Sequence, residues 1–273
     1  MILNLDTNFK PIAGNEIEFE QFTFKGGEPH IKICPNFNTN EIVTITHRIN
    51  SFNELGFVCV AVDALRRMGV EKINLFIPYF PAARQDRLMI VGEPLTVKVY
   101  ADLINLMKFQ KVTVFDPHSE VTPALINNCE VISNLNFIRE VIADIHLPLT
   151  LISPDGGALK KIYKLSEALG GIDVVECSKS RDVKTGKLAG FKVYSDDLSH
   201  KNCLIVDDIC DGGRTFIGLA KELKAKNAEN IYLAVSHGIF SYGIEELRKD
   251  FKEIYSTDSF NEVDRIKVVK IKL

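Results

Sequence analysis

Short apolar runs alternate with longer amphipathic stretches along the chain. Six runs, 73–80, 112–116, 149–154, 173–178, 203–208 and 231–237, are rich in β-branched residues and apolar nearly throughout. That pattern predicts strands covered on both faces. Helix-period segments near 52–68, 95–108, 137–145, 157–169, 214–226 and 243–250 lie between them, and the one at 157–169 stops at Gly170-Gly171. Alternating strand and helix predicts an α/β fold with parallel sheets and right-handed crossovers. Two such series occur, one running to about residue 145 and the other starting near 149. The linker His146-Leu147-Pro148-Leu149 carries a Pro, which sets a boundary and predicts domains 1–146 and 147–273. Residues 182–195 hold two Gly and a final alternating run, predicting a hairpin or flap on the second domain. The last segment, 265–273, alternates Lys with apolar residues. It reads as an edge strand protected by its lysines, and it is a candidate to pack back on the first domain.

Composition narrows the classes. At roughly 150 residues per domain, 273 residues fit two domains. The 33 Lys+Arg and 36 Asp+Glu leave a formal charge of −3, so no polycationic surface for nucleic acid is expected. No apolar run approaches the ~18–20 residues needed to span a bilayer. The start, MILNLDTNFKP, lacks a basic segment followed by an apolar core, so no secretory signal is expected. Cys34, Cys59, Cys129, Cys177, Cys203 and Cys210 include no C-x-x-C pair, which argues against zinc. Most sit in apolar stretches as small hydrophobes, consistent with reduced thiols and an intracellular, cytoplasmic setting.

The chemistry concentrates at 203–215, CLIVDDICDGGRT. An apolar strand ends in Asp207 and Asp208, then Asp211 precedes Gly212-Gly213, and Arg214 and Thr215 open a helix. Ligands of open parallel sheets bind beyond the carboxyl ends of strands. Glycines let backbone N–H groups converge, and a helix N-terminus adds positive potential, so this loop suits a phosphate. The acid pair suits vicinal ribose hydroxyls, or Mg²⁺ held through water.

This stretch resembles the phosphoribosyl-diphosphate (PRPP) loop of phosphoribosyltransferases and of ribose-phosphate pyrophosphokinases. Other segments resemble the pyrophosphokinases in particular: FKGGE at 24–28, IPYFPAARQDR at 77–87 continued by GEPL at 92–95, DPHSE at 116–120, SPDGG at 153–157, Lys179-Ser180-Arg181, and SHGIFS at 236–241. They keep the family's order from about residue 22 to 260, in the manner of its short archaeal-type members. The resemblance implies two tandem phosphoribosyltransferase-like domains, the first on the ATP side and the second carrying the PRPP loop. It implies Mg²⁺-dependent transfer of the β,γ-diphosphoryl group of ATP to the C1 hydroxyl of ribose 5-phosphate, releasing AMP, by a homo-oligomer. Phosphoryl transfer needs cations and fixed donors more than a covalent nucleophile.

By resemblance, Phe24, Glu28, Arg84, Gln85 and Asp86 bind ATP, with the Phe24 ring against adenine. His118 and Asp155 hold Mg-ATP or the metal, and Lys179 and Arg181 with His118 act on the transferring group. Asp207, Asp208, Asp211, Gly212, Gly213, Arg214 and Thr215 take the ribose phosphate. Three departures stand out. Gly26 replaces an Asp that reads the adenine amino group. The segment after Arg87 lacks the Ser-Ala-Arg associated with allosteric ADP control. Gly212 and Arg214 replace Thr and Gly, and Arg suits a second phosphate. The last change keeps ADP-ribose open as an alternative acceptor. Two further alternatives are a non-catalytic regulatory subunit, against which Lys179, Arg181 and His118 speak, and a true phosphoribosyltransferase, which would need no ATP motif.

Overall fold

In the computed structural model the described residues are 1–181 and 188–273, with the side chains of 180, 181, 188 and 189 outside the description. The tip of the expected flap, 182–187, and the Arg181 side chain therefore lie outside the described residues. The chain forms two compact units, one of residues 1–133 and 270–273, the other of 134–269.

The first unit contains β1 (Ile2–Asn4), β2 (Phe19–Thr23), β3 (Pro29–Ile33), β4 (Val43–Thr46), α1 (Phe52–Arg67), β5 (Ile73–Ile77), α2 (Thr96–Leu106), β6 (Lys111–Phe115), α3 (Val121–Leu125) and β7 (Cys129–Ile132). Its main sheet runs β1-β4-β5-β6-β7, parallel throughout. Strands β2 and β3 form a separate antiparallel hairpin. The Ser51 hydroxyl starts α1 by accepting from the Glu54 N–H at 3.2 Å, and Arg66 and Arg67 complement its last turn. Leu75 and Ile77 of β5 and Val112 and Val114 of β6 share one core with Val58, Ala61 and Leu65 of α1 and Val97, Ala101 and Ile104 of α2. The near-continuous apolar runs 73–77 and 111–115 have this cause, since neither strand has a wet face.

The second unit contains α4 (Leu135–Ile145), β8 (Leu149–Ser153), α5 (Leu159–Ala168), β9 (Val174–Arg181), β10 (Leu188–Val193), β11 (Asn202–Cys210), α6 (Arg214–Ala225), β12 (Asn230–Gly238), α7 (Glu245–Arg248), β13 (Glu253–Thr257) and β14 (Lys267–Val269). Its sheet has the order β10-β9-β8-β11-β12-β13-β14. All neighbours are parallel except β9 and β10, which pair antiparallel as the hairpin expected from 182–195. From β8 the chain crosses to β9 on one side, and from β11 it crosses to β12 on the other. The order therefore reverses between β8 and β11, and a crevice at the carboxyl ends of those two strands is where such sheets bind ligands.

Two sequence expectations need correction. The division falls at 133/134 rather than at 146/147. The apolar face of α4, Phe137, Ile138 and Val141, is buried, α4 lies against β12, and the Tyr255 hydroxyl of β13 donates to Asp144 at 2.7 Å. The final segment forms a shorter edge strand than expected. Only 267–269 pair, parallel to β13, and 270–273 belong to the first unit, where the Leu273 N–H donates to the Pro11 carbonyl at 2.8 Å.

Candidate functional site

Strand β11 runs past the acid pair to Cys210, longer than its apolar run suggested, so Asp207 and Asp208 sit within its last turns of pleat. Asp208 is buried, and Asp207 keeps partial exposure. An Asp207 carboxylate oxygen accepts from the Asp208 N–H at 2.9 Å. Desolvation, reinforced by the neighbouring Asp208 and by Asp155, holds the Asp207 carboxyl well above its ordinary range. An acid pair kept close and largely desolvated is poised for a partner bearing hydroxyl donors or positive charge.

The loop after β11 turns immediately into α6, whose cap is Gly213 at φ 73° and ψ −10°, with Arg214 as its first helical residue. The turn 239–241 supports this loop from behind. Ile239 and Phe240 N–H groups donate to the Cys210 carbonyl at 2.8 and 3.1 Å, and Ser241 N–H donates to the Asp211 carbonyl at 3.2 Å. The side chain of Leu247 presses on Gly213, and the Tyr242 ring presses on Gly212, each within 3.0 Å of where a Cβ would stand. Arg214 carries its guanidinium over the Tyr242 ring, 5.7 Å from the centroid.

Across the switch point, β8 ends at Ser153 and leads into Asp155. One Asp155 oxygen accepts from the Gly157 and Ala158 N–H groups at 2.8 and 3.1 Å, which fixes the carboxylate at the start of the α5 turn. The other is paired with the Lys179 ammonium of β9. Burial pushes the Asp155 carboxyl up, but the hydrogen bond and charge of Lys179, with the Ala158 and Gly157 N–H groups, together outweigh it, so the group lies below its ordinary value. Asp155, Lys179, Asp207, Asp208 and the 211–215 loop thus occupy the carboxyl ends of adjacent strands β9, β8 and β11.

In the first unit, the neighbouring strands β5 and β6 end beside each other. Arg84, Gln85 and Asp86 follow β5, and His118 follows β6, half-buried, two residues beyond Asp116 at φ 39°. The Ser119 hydroxyl donates to Asp86 at 2.7 Å and joins the two loops. Gln85 is held through its backbone, its N–H on the Ala82 carbonyl at 2.8 Å. Leu88, Met89, Ile90 and Val91 beyond them are exposed. Phe24 stands at the turn between β2 and β3, 51% exposed, with Phe22 edge-on at 4.8 Å and His30 at 5.5 Å. At Gly26 the Glu28 carboxylate lies 2.6 Å from where a Cβ would be, so Glu28 fills the space an Asp there would need.

The oxygen donors fit a hard divalent cation. Magnesium is held by one or two carboxylates completed by substrate oxygens and water, and Asp155 beside the acid pair supplies that kind of set. Among the described residues no group of three or more His, Cys, Asp or Glu forms a metal site from protein alone. All six cysteines are free, and burial pushes Cys177 up to about 12 and Cys203 to about 11, which makes both inert thiols at neutral pH. Among the described residues no helix is long and apolar enough to cross a membrane.

Sequence reading located the loop and its acids but missed Tyr242 and Leu247, which shape that loop, and, within the first unit, Ser119, which joins the loops after β5 and β6. The doubled glycine at 212–213 was the available signal, because two adjacent residues without side chains mark a place where something bulky presses close.

Comparison with known proteins agrees with this α/β fold. A family model described as the N-terminal domain of ribose phosphate pyrophosphokinase matches residues 13–107, and one described as the phosphoribosyl transferase domain matches 133–269. The ribose-phosphate pyrophosphokinase of Thermococcus kodakarensis is 30% identical over 261 residues, covering 94% of this chain and 91% of its own. That of Pyrococcus abyssi is 29% identical over 265 residues, covering 94% and 89%. The crystal structure of phosphoribosylpyrophosphate synthetase from Mycobacterium smegmatis aligns with a TM-score of 0.80 over 98% of this chain and 94% of that one, at 19% identity, a likeness of fold. The second family model ends at Val269, where the second compact unit also ends. On this footing, two parallel α/β units with an acid pair and glycine loop at the switch point of the second, the chain belongs to the ribose-phosphate pyrophosphokinase family.

Proposed function

We propose that the chain is a Mg²⁺-dependent pyrophosphokinase that moves the β,γ-diphosphoryl group of ATP to the C1 hydroxyl of ribose 5-phosphate, giving PRPP and AMP. The observation that carries this reading is the grouping of Asp207, Asp208 and the α6 N-terminus with the Lys179–Asp155 pair at adjacent strand ends. In this reading the loop from Asp211 to Thr215 takes the 5-phosphate on backbone N–H groups and the helix N-terminus. Asp207 and Asp208 accept from the vicinal ribose hydroxyls and so fix the sugar with its C1 hydroxyl toward the donor. Asp155 is the carboxylate ligand for Mg²⁺, which when bound neutralises the polyphosphate and orients it. Lys179, with Arg181 and His118, supplies positive charge and donors to the transferring phosphoryl oxygens. Phe24, Glu28, Arg84, Gln85 and Asp86 hold ATP, with Glu28 standing in for the missing acid at 26. The enzyme in this reading is a cytoplasmic homo-oligomer.

A second reading keeps the chemistry and changes the acceptor to ADP-ribose, whose 5-phosphate carries an AMP. The Arg214 guanidinium beside the loop and the absence of a side chain at 212 favour it. One assay separates these readings. With ATP and Mg²⁺ present, ribose 5-phosphate and ADP-ribose are offered side by side and AMP release is followed. Release with ribose 5-phosphate supports the first reading, and release with ADP-ribose alone supports the second. No release with either would refute both.

A further inference from the structure

Tyr242 is an exposed aromatic side chain, 76% accessible, at the rim of the glycine loop. An exposed ring is normally mobile, yet this one is confined on two sides. Its Cδ2 and Cε2 lie 3.0 Å from the position of a Cβ on Gly212, so the ring occupies space that any other residue at 212 would fill. Its backbone belongs to the 239–243 turn, which is hydrogen-bonded to the Cys210 and Asp211 carbonyls and closed by the Gly243 N–H on the Phe240 carbonyl at 2.8 Å. The Arg214 guanidinium then lies over the ring. Stacking engages the flat face of a guanidinium and leaves the N–H donors along its edge available. Among the described residues no carboxylate pairs with Arg214. The rim of the loop therefore holds a cation that is positioned by an aromatic ring rather than by a counter-ion.

A monoester phosphate is satisfied by the backbone N–H groups of such a loop, and it leaves this guanidinium edge over. Bidentate donation from Arg matches a phosphate or diphosphate oxygen pair. We infer that Tyr242 is a positioning residue that sets acceptor specificity, holding Arg214 as a subsite for a second phosphate attached beyond the 5-phosphate. This rests on the reading of 207–215 as the acceptor loop. It adds the residue that decides whether a diphosphate-linked acceptor is accepted, and Gly212 is its necessary counterpart.

The test is isothermal titration of the whole protein, in Mg²⁺ without ATP, using ribose 5-phosphate and ADP-ribose as the two probes. Tyr242→Leu should weaken ADP-ribose by about tenfold or more, the scale of one charged hydrogen bond, and leave ribose 5-phosphate within about twofold. Arg214→Gln should weaken ADP-ribose by a similar factor, and combining both changes should add little, because the ring acts through the guanidinium. Tyr242→Phe keeps the ring and should bind ADP-ribose as the parent does. Equal weakening of both probes by Tyr242→Leu, or additive losses in the double variant, would overturn the inference. So would a parent protein that binds ribose 5-phosphate and not ADP-ribose, which leaves the first functional reading standing. A parent that binds neither would overturn that reading as well.

Discussion

Gly213 offers a measurement of how tightly the glycine loop is built. It caps α6 at φ 73°, and a Cβ there would stand 3.0–3.1 Å from Cδ1, Cδ2 and Cγ of Leu247. Gly213→Ala therefore meets two obstacles. The left-handed backbone costs an L-residue roughly 1–2 kcal/mol. Crowding a buried Leu adds about 1–3 kcal/mol, because Leu247 is only 2% exposed and packed in the second core. The sum, about 2–5 kcal/mol, is a large part of the stability of an ordinary domain. Gly243 supplies the control, since its φ is 75° and nothing lies within 4 Å of its missing Cβ. Gly243→Ala should show the backbone part alone, about 1–2 kcal/mol. Native-state hydrogen exchange of the β11 and β12 amides reads the opening of the unit directly, which is useful in a chain without Trp. In the double variant Gly213→Ala with Leu247→Ala, the loss should fall short of the summed single losses by about 1–3 kcal/mol, because the second change removes the clash. Equal costs for Gly213→Ala and Gly243→Ala, with additive behaviour in the double variant, would refute the claim that Leu247 sets the loop.

Two further outcomes follow from the carboxyl ends of β8, β9 and β11. Lys179→Ala should cut turnover by at least about a hundredfold with the circular dichroism spectrum unchanged, and near-normal turnover would remove Lys179 from the transfer step. Asp207→Asn tests the acid whose carboxyl is raised. A carboxyl raised above its unfolded value keeps a proton that the unfolded chain has already lost, so its contribution to stability falls as pH rises from about 4 through the folded pKa. The Asn variant should thus melt higher than the parent at pH 8 and at nearly the same temperature at pH 4, with ribose phosphate binding lost, and a variant less stable at pH 8 would contradict the assigned direction.

The parts of the fold that were legible in the sequence are those whose surroundings are uniform. Strands β5, β6, β8 and β12 are apolar on both faces, and α1 and α6 carry a broad apolar stripe, so local pattern and burial agree there. Strands β2 and β3 failed that test because the hairpin is mostly solvent-exposed, and Phe19–Thr23 shows no buried position at all. Strands β1 and β4 are only three and four residues long, too short to hold a period. The boundary was misplaced because Pro148 marks the end of a connection, whereas domain membership is decided by which core α4 covers. Its own sequence shows an apolar face without saying where that face points.

The site divides in the same way. The Asp207–Thr215 loop was readable because its glycines, acids and helix start are consecutive, and chemistry written in consecutive residues survives without knowledge of the fold. The pairing of Asp155 with Lys179 was readable only as two separate motifs, since they lie 24 positions apart and only the parallel β8–β9 register brings their ends level. Tyr242 was not readable at all. Alone in the sequence it is one more surface Tyr, and its meaning arises from Gly212, thirty residues earlier, and from Arg214 above it. A phosphate loop of this kind sets its anion affinity through its own backbone, which is why it is recognisable. On the proposed role of Tyr242, its selectivity is set by the side chain that the neighbouring turn lays across it, while the backbone of that turn, bonded to the Cys210 and Asp211 carbonyls, holds the loop itself. On that proposal, acceptor choice depends on Tyr242, one residue beyond the SHGIFS motif at 236–241 and outside the residues the motif marks.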